Sequence, residues 1–518
     1  MIWRKEVKLA KKVLYSISSF IVPIEFLFAV CFAFSIYRVV FIRYYLGFWA
    51  IKYIIVIALF VVFLICSLYI QIRKKHATFV KIAILLLIPI GMLYIFFIPP
   101  SFVPDEQTHM LKAYEVSTGK LVTEQTKDRL PKIEVPRFLK QHTLDSIQKY
   151  NQFNLALKEK TNYSDTVRVR TSAAGYCFVS YMLSGLGFLI GRLLSINGIL
   201  AFYLARILNY AFFIFAIYTA LKIIPFGKYV IAVISFLPMT LQQVASVSAD
   251  SVLISGSLLF IAMTLYIKYK PTTFKIRDKV AYSALSLLIM LSKVAYLPIL
   301  GLSLLLLDTE NKDDSMKKKW TYLILNVILA VGIGGLWYAY SQHYPDVFMD
   351  FREKNHINPS EQIKMILSEP SHFNMAIKNF FLNDAGMLIS TMGLPLGWLN
   401  INIGMGPVLA FLIMLVLSPF LGSEVRALSI LDRIWFWIIT LCTYLIIVVG
   451  FYITWTSVGA EGVSGTQGRY FLPVLALPFL AGYNQKSRVV YKHQELVFPL
   501  IMVMLDSAAV YNLSLFFL

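Results

Sequence analysis

Long apolar runs separated by short, mostly basic connections set the pattern of this chain. Such runs fall at about 20–42, 50–71 and 81–98, and again at about 173–194, 199–221, 227–245 and 250–267. More follow at about 280–307, 320–341, 406–421, 433–453, 469–484 and 496–518. A helix crosses the hydrocarbon core with about 20 apolar residues, so the pattern predicts an all-α polytopic integral membrane protein with roughly eleven to fourteen spans. Two longer polar segments, 99–170 and 342–384, interrupt it. They are expected to carry short amphipathic helices lying along the membrane rather than separate globular domains.

Composition agrees. Of 518 residues, 58% are hydrophobic and only 15% charged, against about 25% charged in soluble domains. The net charge of +20 would point a soluble protein toward nucleic acid. Here the basic residues cluster in short loops between spans, as the positive-inside rule requires, so the expected partner is the lipid bilayer and not nucleic acid. Residues 1–12, Arg73-Lys74-Lys75, Lys268–Lys279, Lys317-Lys318-Lys319 and Lys486–Lys492 mark the cytoplasmic face. The first run lacks a small-residue cleavage site and reads as a span, not a signal peptide. Cys31, Cys66, Cys177 and Cys442 lie in apolar stretches without metal-ligand spacing, so neither a zinc site nor a disulfide framework is expected.

Alternating crossings place segments 99–170 and 342–384, the Ser248-Ala249-Asp250 stretch and the Trp455–Gln467 loop on the outer side. Two conflicts remain in this topology. Three runs (173–194, 199–221, 227–245) separate two outer points that need an even number of crossings, so one must be re-entrant, split or mis-delimited; the glycines at 185, 187 and 191 make the first a suspect. Residues 280–307 lie between two basic loops and are too long for one span. Two short crossings meeting near Ser292-Lys293-Val294-Ala295-Tyr296-Leu297-Pro298 would resolve this and place Lys293 outside or in a polar cavity.

The densest polar chemistry follows the third run, at Pro99-Pro100-Ser101-Phe102-Val103-Pro104-Asp105-Glu106-Gln107-Thr108-His109. Two prolines end one helix and Pro104 starts another, with Asp105 and Glu106 in its first turn and Gly119 as its stop. Asp105, His109 and Lys112 then share a face at i, i+4 and i+7. Acids in a first turn also serve simply to complement the macrodipole. Ionisable residues at the lip of a span are costly unless paired or wet; on the expected outer side these are Asp105, Glu106, His109, Asp250, Lys293 and Arg469. They come from distant parts of the chain and are assigned to one face. Blander roles stand beside each: a helical partner of Asp105 for His109, a helix cap for Asp250, snorkelling for Lys293, an interface anchor for Arg469. Acids and cations together at that face fit group transfer from a lipid-linked phosphate. A carboxylate would take a proton from an incoming hydroxyl, an Arg would bind the departing phosphate in bidentate fashion, and the lipid tail would lie between spans.

Four motifs, in order, resemble the bacterial membrane proteins described as domain of unknown function 2142. These are Pro104-Asp105-Glu106-x-x-His109 with Ala113-Tyr114 and Gly119, then Ser248-Ala249-Asp250, then Ser292-Lys293-x-x-Tyr296-x-Pro298, and finally Gln467-Gly468-Arg469-Tyr470-x-x-Pro473. The resemblance covers about residues 80–485. That family is similar to the GT-C membrane glycosyltransferases, in which an acidic residue of the first outer loop acts as, or close to, the base. The resemblance implies a GT-C-like core at 80–485, preceded by a basic segment with two extra spans (1–79) and followed by a basic loop and last span (486–518). It implies an inverting glycosyltransferase on the outer face of a bacterial cytoplasmic membrane. The donor would be a polyprenyl-phosphate sugar or its diphosphate relative, and the acceptor a surface polysaccharide or glycolipid. Asp105 is then the leading base, with Glu106 and His109 in the same catalytic group. Arg469 and Lys293 would bind donor phosphate, and Asp250, Tyr296, Gln467 and Tyr470 would line the site. The resemblance leaves a divalent cation open, since some GT-C enzymes need one and others do not, and the small number of acids here does not favour it; no other cofactor is implied. The competing expectations are a transporter or flippase of lipid-linked saccharides, against which no internal repeat is evident, and a non-catalytic component of an envelope assembly complex.

Overall fold

The computed structural model describes residues 78–517 apart from 126–129, 145–155, 270–274, 309–314, 384, 423, 425–427, 485–488 and 491–493. The two spans expected at 20–42 and 50–71, and the basic residues on either side of them, lie outside the described residues. Within them the chain is an all-α polytopic bundle: six helices are long and apolar enough to cross a membrane, and three shorter apolar ones accompany them.

Helix α1 (Phe79–Phe97) is the first. It ends at Ile98-Pro99-Pro100, as the prolines dictate. Helix α2 (Glu106–Ser117) follows, with Asp105 at its N-cap and a stop at Gly119, whose φ is +85°. The rest of segment 99–170 departs from the expectation of amphipathic helices. Strands β1 (Lys132–Pro136) and β2 (Thr166–Arg170) pair antiparallel, Lys132 against Arg170 and Pro136 against Thr166. The cause is visible in the residues: Ile133 and Val135 alternate with outward-facing Glu134, and bury against α2 and Leu139.

The parity conflict resolves at the first of the three runs. Helix α3 (Met182–Leu193) runs alongside α2, with Gly185 against the Ala113 carbonyl and Arg192 Nη2 donating to Ser117 O at 2.7 Å. It then packs back on the first two turns of α4 (Gly198–Ile223), where Gly187 meets Ala205 and Gly191 meets Ala201. Arg206 of α4 reaches the carbonyls at the end of α1, so α2, α3 and the start of α4 form a layer beyond that end. The first run does not cross. The rest of α4 does, and the third run returns as a broken helix, α5 (Lys228–Phe236) and α6 (Pro238–Val244), interrupted before Pro238. Helix α7 (Ala249–Tyr269) leads back across, deep in the bundle.

Residues 280–307 break where expected. Helix α8 (Ile276–Ser292) ends at Lys293, which is extended, and a 3₁₀ helix runs over Val294–Leu307. At 1.5 and 2.0 Å per residue the two pieces reach about 25 and 28 Å, each close to the thickness of the hydrocarbon core. Helix α9 (Met316–Ser341) crosses next, its Leu325, Ile328 and Leu336 exposed to lipid. Segment 342–384 is helical, as expected: Met349–Lys354, α10 (Pro359–Ser368) and α11 (Pro370–Asn383), the last two leaving Ile363, Leu367, Phe381 and Leu382 exposed. The chain continues through α12 (Ala385–Met392), α13 (Met405–Leu417) and α14 (Ile430–Thr454). The run expected as a span at 469–484 is instead a 3₁₀ turn (Gly468–Phe471), a bend and the short α15 (Ala476–Ala481). Last comes α16 (Gln494–Phe517), packed along α1.

Candidate functional site

Asp105, Asp250, Lys293 and Arg469 meet at one end of the bundle. The opposite end carries ion pairs of its own, among them Lys228–Glu424 (2.9 Å) and Lys268–Asp432 (2.6 Å). Four separate local structures deliver the site residues. Asp105 closes the turn after α1, with a left-handed backbone (φ +66°) that Asp tolerates better than most residues. Asp250 lies in the first turn of α7, behind a cap in which Ser248 Oγ accepts from Asp250 N at 3.1 Å. Lys293 is the extended residue between two helical crossings. Arg469 sits in the 3₁₀ turn after Gln467.

Arg469 is the centre. Its Nη2 pairs with the Asp105 carboxylate and lies 3.2 Å from Tyr470 Oη; its Nη1 donates to Pro104 O at 2.9 Å and stands 3.9 Å from Asp250 Oδ2. Lys293 Nζ donates to Asp250 Oδ1 at 2.5 Å. The Tyr470 ring carries both cations, the guanidinium 5.0 Å and the ammonium 5.3 Å from its centroid, an attraction between cation and ring quadrupole. That ring is stacked on Phe451 (5.1 Å), and Tyr296 Oη donates to the Tyr470 carbonyl at 2.7 Å, so the platform is fixed from both sides. Gln467 contributes a buried side-chain oxygen, and Arg469 a buried Nε, for which the described residues provide no partner.

His109 borders this cluster. Its Nδ1 is 2.6 Å from Tyr181 Oη, and its ring meets the edge of Tyr176 at 5.2 Å. Burial pushes the imidazole down to about 4, although Asp105 and Asp250 pull the other way, so it is neutral at pH 7. Partial burial alone would raise the Asp105 carboxyl; Arg469 outweighs it, with His109 and Lys293 behind, and holds the group below its ordinary value. Lys293 and Arg469 feel the opposing push of burial too, but their anionic and tyrosine neighbours keep both firmly cationic. The arrangement is therefore two carboxylates and two cations around an aromatic platform, able to bind an oxyanion and accept a proton side by side.

One candidate site residue, Glu106, and one residue expected on the same helix face, Lys112, are placed elsewhere. Glu106 turns away from the cluster and is fully buried: it pairs with Arg206 through Nε (2.8 Å) and Nη2 (2.6 Å), and also accepts from Ser101 N and Val247 N, each at 2.9 Å. A carboxylate with four donors on it is a structural clasp and has no lone pair left for a reaction. Lys112, expected on the face of Asp105, points into a different network with Glu115 (2.8 Å) and Thr123 (3.0 Å). The helix begins at Glu106, one residue later than the spacing assumed, and Asp105 lies off its face. Arg206 is the residue that sequence reasoning missed. Besides Glu106 it binds the carbonyls of Ile95, Ile98 and Pro99, tying the end of α1 to the turn that presents Asp105.

Fold and cluster together define a polytopic helical membrane protein with a charged site at one edge of its bundle. The chain belongs to the family described as "Predicted membrane protein (DUF2142)", whose model matches residues 88–477, about three quarters of the length and a span within which all four motifs fall. No curated protein and no solved structure matches it.

Proposed function

We propose that this protein is an inverting membrane glycosyltransferase of GT-C type. It would move a sugar from a polyprenyl-phosphate-linked donor to a polysaccharide or glycolipid acceptor at the outer face of a bacterial cytoplasmic membrane. The observation that carries this is the pairing of Asp105 with Arg469 beside Lys293 and Asp250, a base and two phosphate-binding cations within one cluster at the membrane edge. In the step proposed, the acceptor hydroxyl gives its proton to Asp105 as its oxygen bonds the anomeric carbon. The bond from that carbon to the phosphate oxygen breaks, and its electron pair leaves with the phosphate. Arg469 and Lys293 stabilise the charge that develops there. Asp250 holds Lys293 in place, and Tyr470 and Tyr296 keep the two cations on a common platform.

The test is cell-surface glycan composition in a deletion strain complemented with wild type, Asp105→Asn or Arg469→Ala at matched protein levels. Loss of one sugar, restored by wild type and by neither variant, is the expected result and names the sugar. Full restoration by Asp105→Asn overturns the base assignment. A second reading, transport of a lipid-linked saccharide, is favoured by one observation: Asp506 is fully buried inside the span α16, and ionisable groups within spans mark the pathways of transporters.

A further inference from the structure

The cluster is electrically closed: Asp105 and Asp250 carry two negative charges, Lys293 and Arg469 two positive. A phosphate oxyanion that reaches Arg469 meets a guanidinium already facing a carboxylate, so one carboxylate has to yield. They are not equally free to do so. The Asp250 side chain is 6% exposed, sits in a helical turn and is held by Lys293 at 2.5 Å. That of Asp105 is 51% exposed, precedes its helix, and has Arg469 as its one hydrogen-bonded partner among the described residues. The Arg469 side chain is 2% exposed and pinned by Pro104 O, so it stays when its partner leaves. A carboxylate also serves this guanidinium incompletely, because Nε remains buried with no partner among the described residues. A phosphate, with more acceptor oxygens than a carboxylate, has one to spare for it.

We propose that Asp105 is a displaceable stand-in for a phosphate oxyanion: in the resting protein it occupies Arg469, and the phosphate group of the substrate takes its place and expels it toward solvent. The proposal rests on the preceding assignment of Asp105 as base only in its consequence, which is order. The carboxylate is free to take a proton only after phosphate has bound, and once parted from the guanidinium it is the stronger base. Donor therefore binds before acceptor. A sugar acceptor arriving alone meets a carboxylate that is still engaged.

Full-length protein in detergent, titrated calorimetrically with inorganic phosphate and separately with a short-chain polyprenyl monophosphate, tests the exchange. Asp105→Asn suits the site because Asn also accepts a left-handed backbone. Asp105→Asn and Asp105→Ser are expected to bind either probe at least about tenfold more tightly than wild type, and Arg469→Lys at least tenfold more weakly; at short range a removed like charge is worth that much even in a partly screened site. Tighter binding of the lipid probe alone places the site at the bilayer, and either probe suffices for the exchange. Infrared difference spectra of the wild type, phosphate against chloride, need no variant: one aspartate carboxylate band is expected to shift. Equal or weaker binding of both probes by both Asp105 variants, no binding of either probe by any form, or a carboxylate band unchanged by a probe that binds overturns the proposal. Tighter binding by Asp105→Asn with an unaltered surface glycan would leave the exchange standing and remove the assignment of Asp105 as base instead.

Discussion

Glu106 and Arg206 meet through two hydrogen bonds of 2.8 and 2.6 Å, and neither side chain reaches solvent. Adjacent Asp105 is half exposed and pairs with a different arginine, so neighbouring acids in one sequence motif serve opposite ends. Removing one member of a buried pair leaves an uncompensated charge and costs about 3–5 kcal/mol. Arg206→Met is therefore expected to lower the midpoint of thermal unfolding in detergent sharply, and Glu106→Gln as well, since Ser101 N and Val247 N bond different carboxylate oxygens and the single amide oxygen can accept from only one of them. The double variant should not recover the loss, because Arg206 also satisfies three carbonyls that a methionine cannot. Recovery in the double variant would show that only the ion pair matters.

His109 makes the stability of the protein depend on pH over a defined window. Its folded pKa is lowered from 6.5 to about 4 by burial. The unfolded chain therefore binds a proton between those values while the folded chain does not, and stability falls as pH drops from about 6.5 toward 4. The slope attributable to this residue approaches 1.4 kcal/mol per pH unit, roughly 3 kcal/mol across the window. Thermal unfolding of wild type and His109→Gln between pH 4 and 8 gives the comparison. The two curves should diverge near neutrality and run closer as pH falls. Parallel curves would mean that the imidazole titrates in the folded protein as it does in the unfolded chain.

Much of this was legible in the residues. The prolines at 99, 100 and 104 marked the turn that presents Asp105, and the over-long run 280–307 marked the break at Lys293. Arg206 was hidden by its setting, an apolar run whose helix continues past the end of α1, though a charged residue inside such a run is itself a warning. The alternation of Lys132-Ile133-Glu134-Val135 and Thr166-Val167-Arg168-Val169 also carried a strand signal that the polar character of the segment masked. Tyr176 and Tyr181 had no such mark: in a chain with 30 tyrosines, two that touch a histidine read like any others until the backbone brings them there.

Gly468 precedes Arg469 for a steric reason. A Cβ there would lie 2.2 Å from Thr391 N and 2.4 Å from Ser390 C, both backbone atoms that cannot rotate aside. Gly468→Ala must push the 3₁₀ turn off α12 and carry Arg469 with it. Overpacking of this kind costs about 1–3 kcal/mol. The expected outcome is a lower unfolding midpoint together with weaker phosphate binding, although Arg469 is retained. Gly335→Ala is the control: beyond its chain neighbours and its own helix backbone, no described atom lies within 4 Å of its Cβ, and inside α9 alanine is the better helix former by about 1 kcal/mol. If Gly468→Ala binds phosphate as the wild type does, the close approach to α12 does not position the guanidinium.

Asp506 separates the two functional readings. It lies within α16, fully buried, and accepts from Tyr94 Oη of α1 at 3.2 Å through Oδ1, while Oδ2 has no partner among the described residues. Asparagine has the same shape and keeps an oxygen for Tyr94, but it cannot take up or release a proton. If Asp506 only ties α16 to α1, Asp506→Asn should restore the surface glycan of a deletion strain nearly as well as wild type. Asp506→Leu, which leaves the Tyr94 hydroxyl unsatisfied among spans, should lower stability by about 1–3 kcal/mol. A carboxyl that moves protons during transport predicts the reverse order: Asp506→Asn would fold normally, show wild-type phosphate affinity at Arg469, and fail to complement. That last pattern, with Asp105→Asn complementing fully, would place the function in the span and not at the membrane edge.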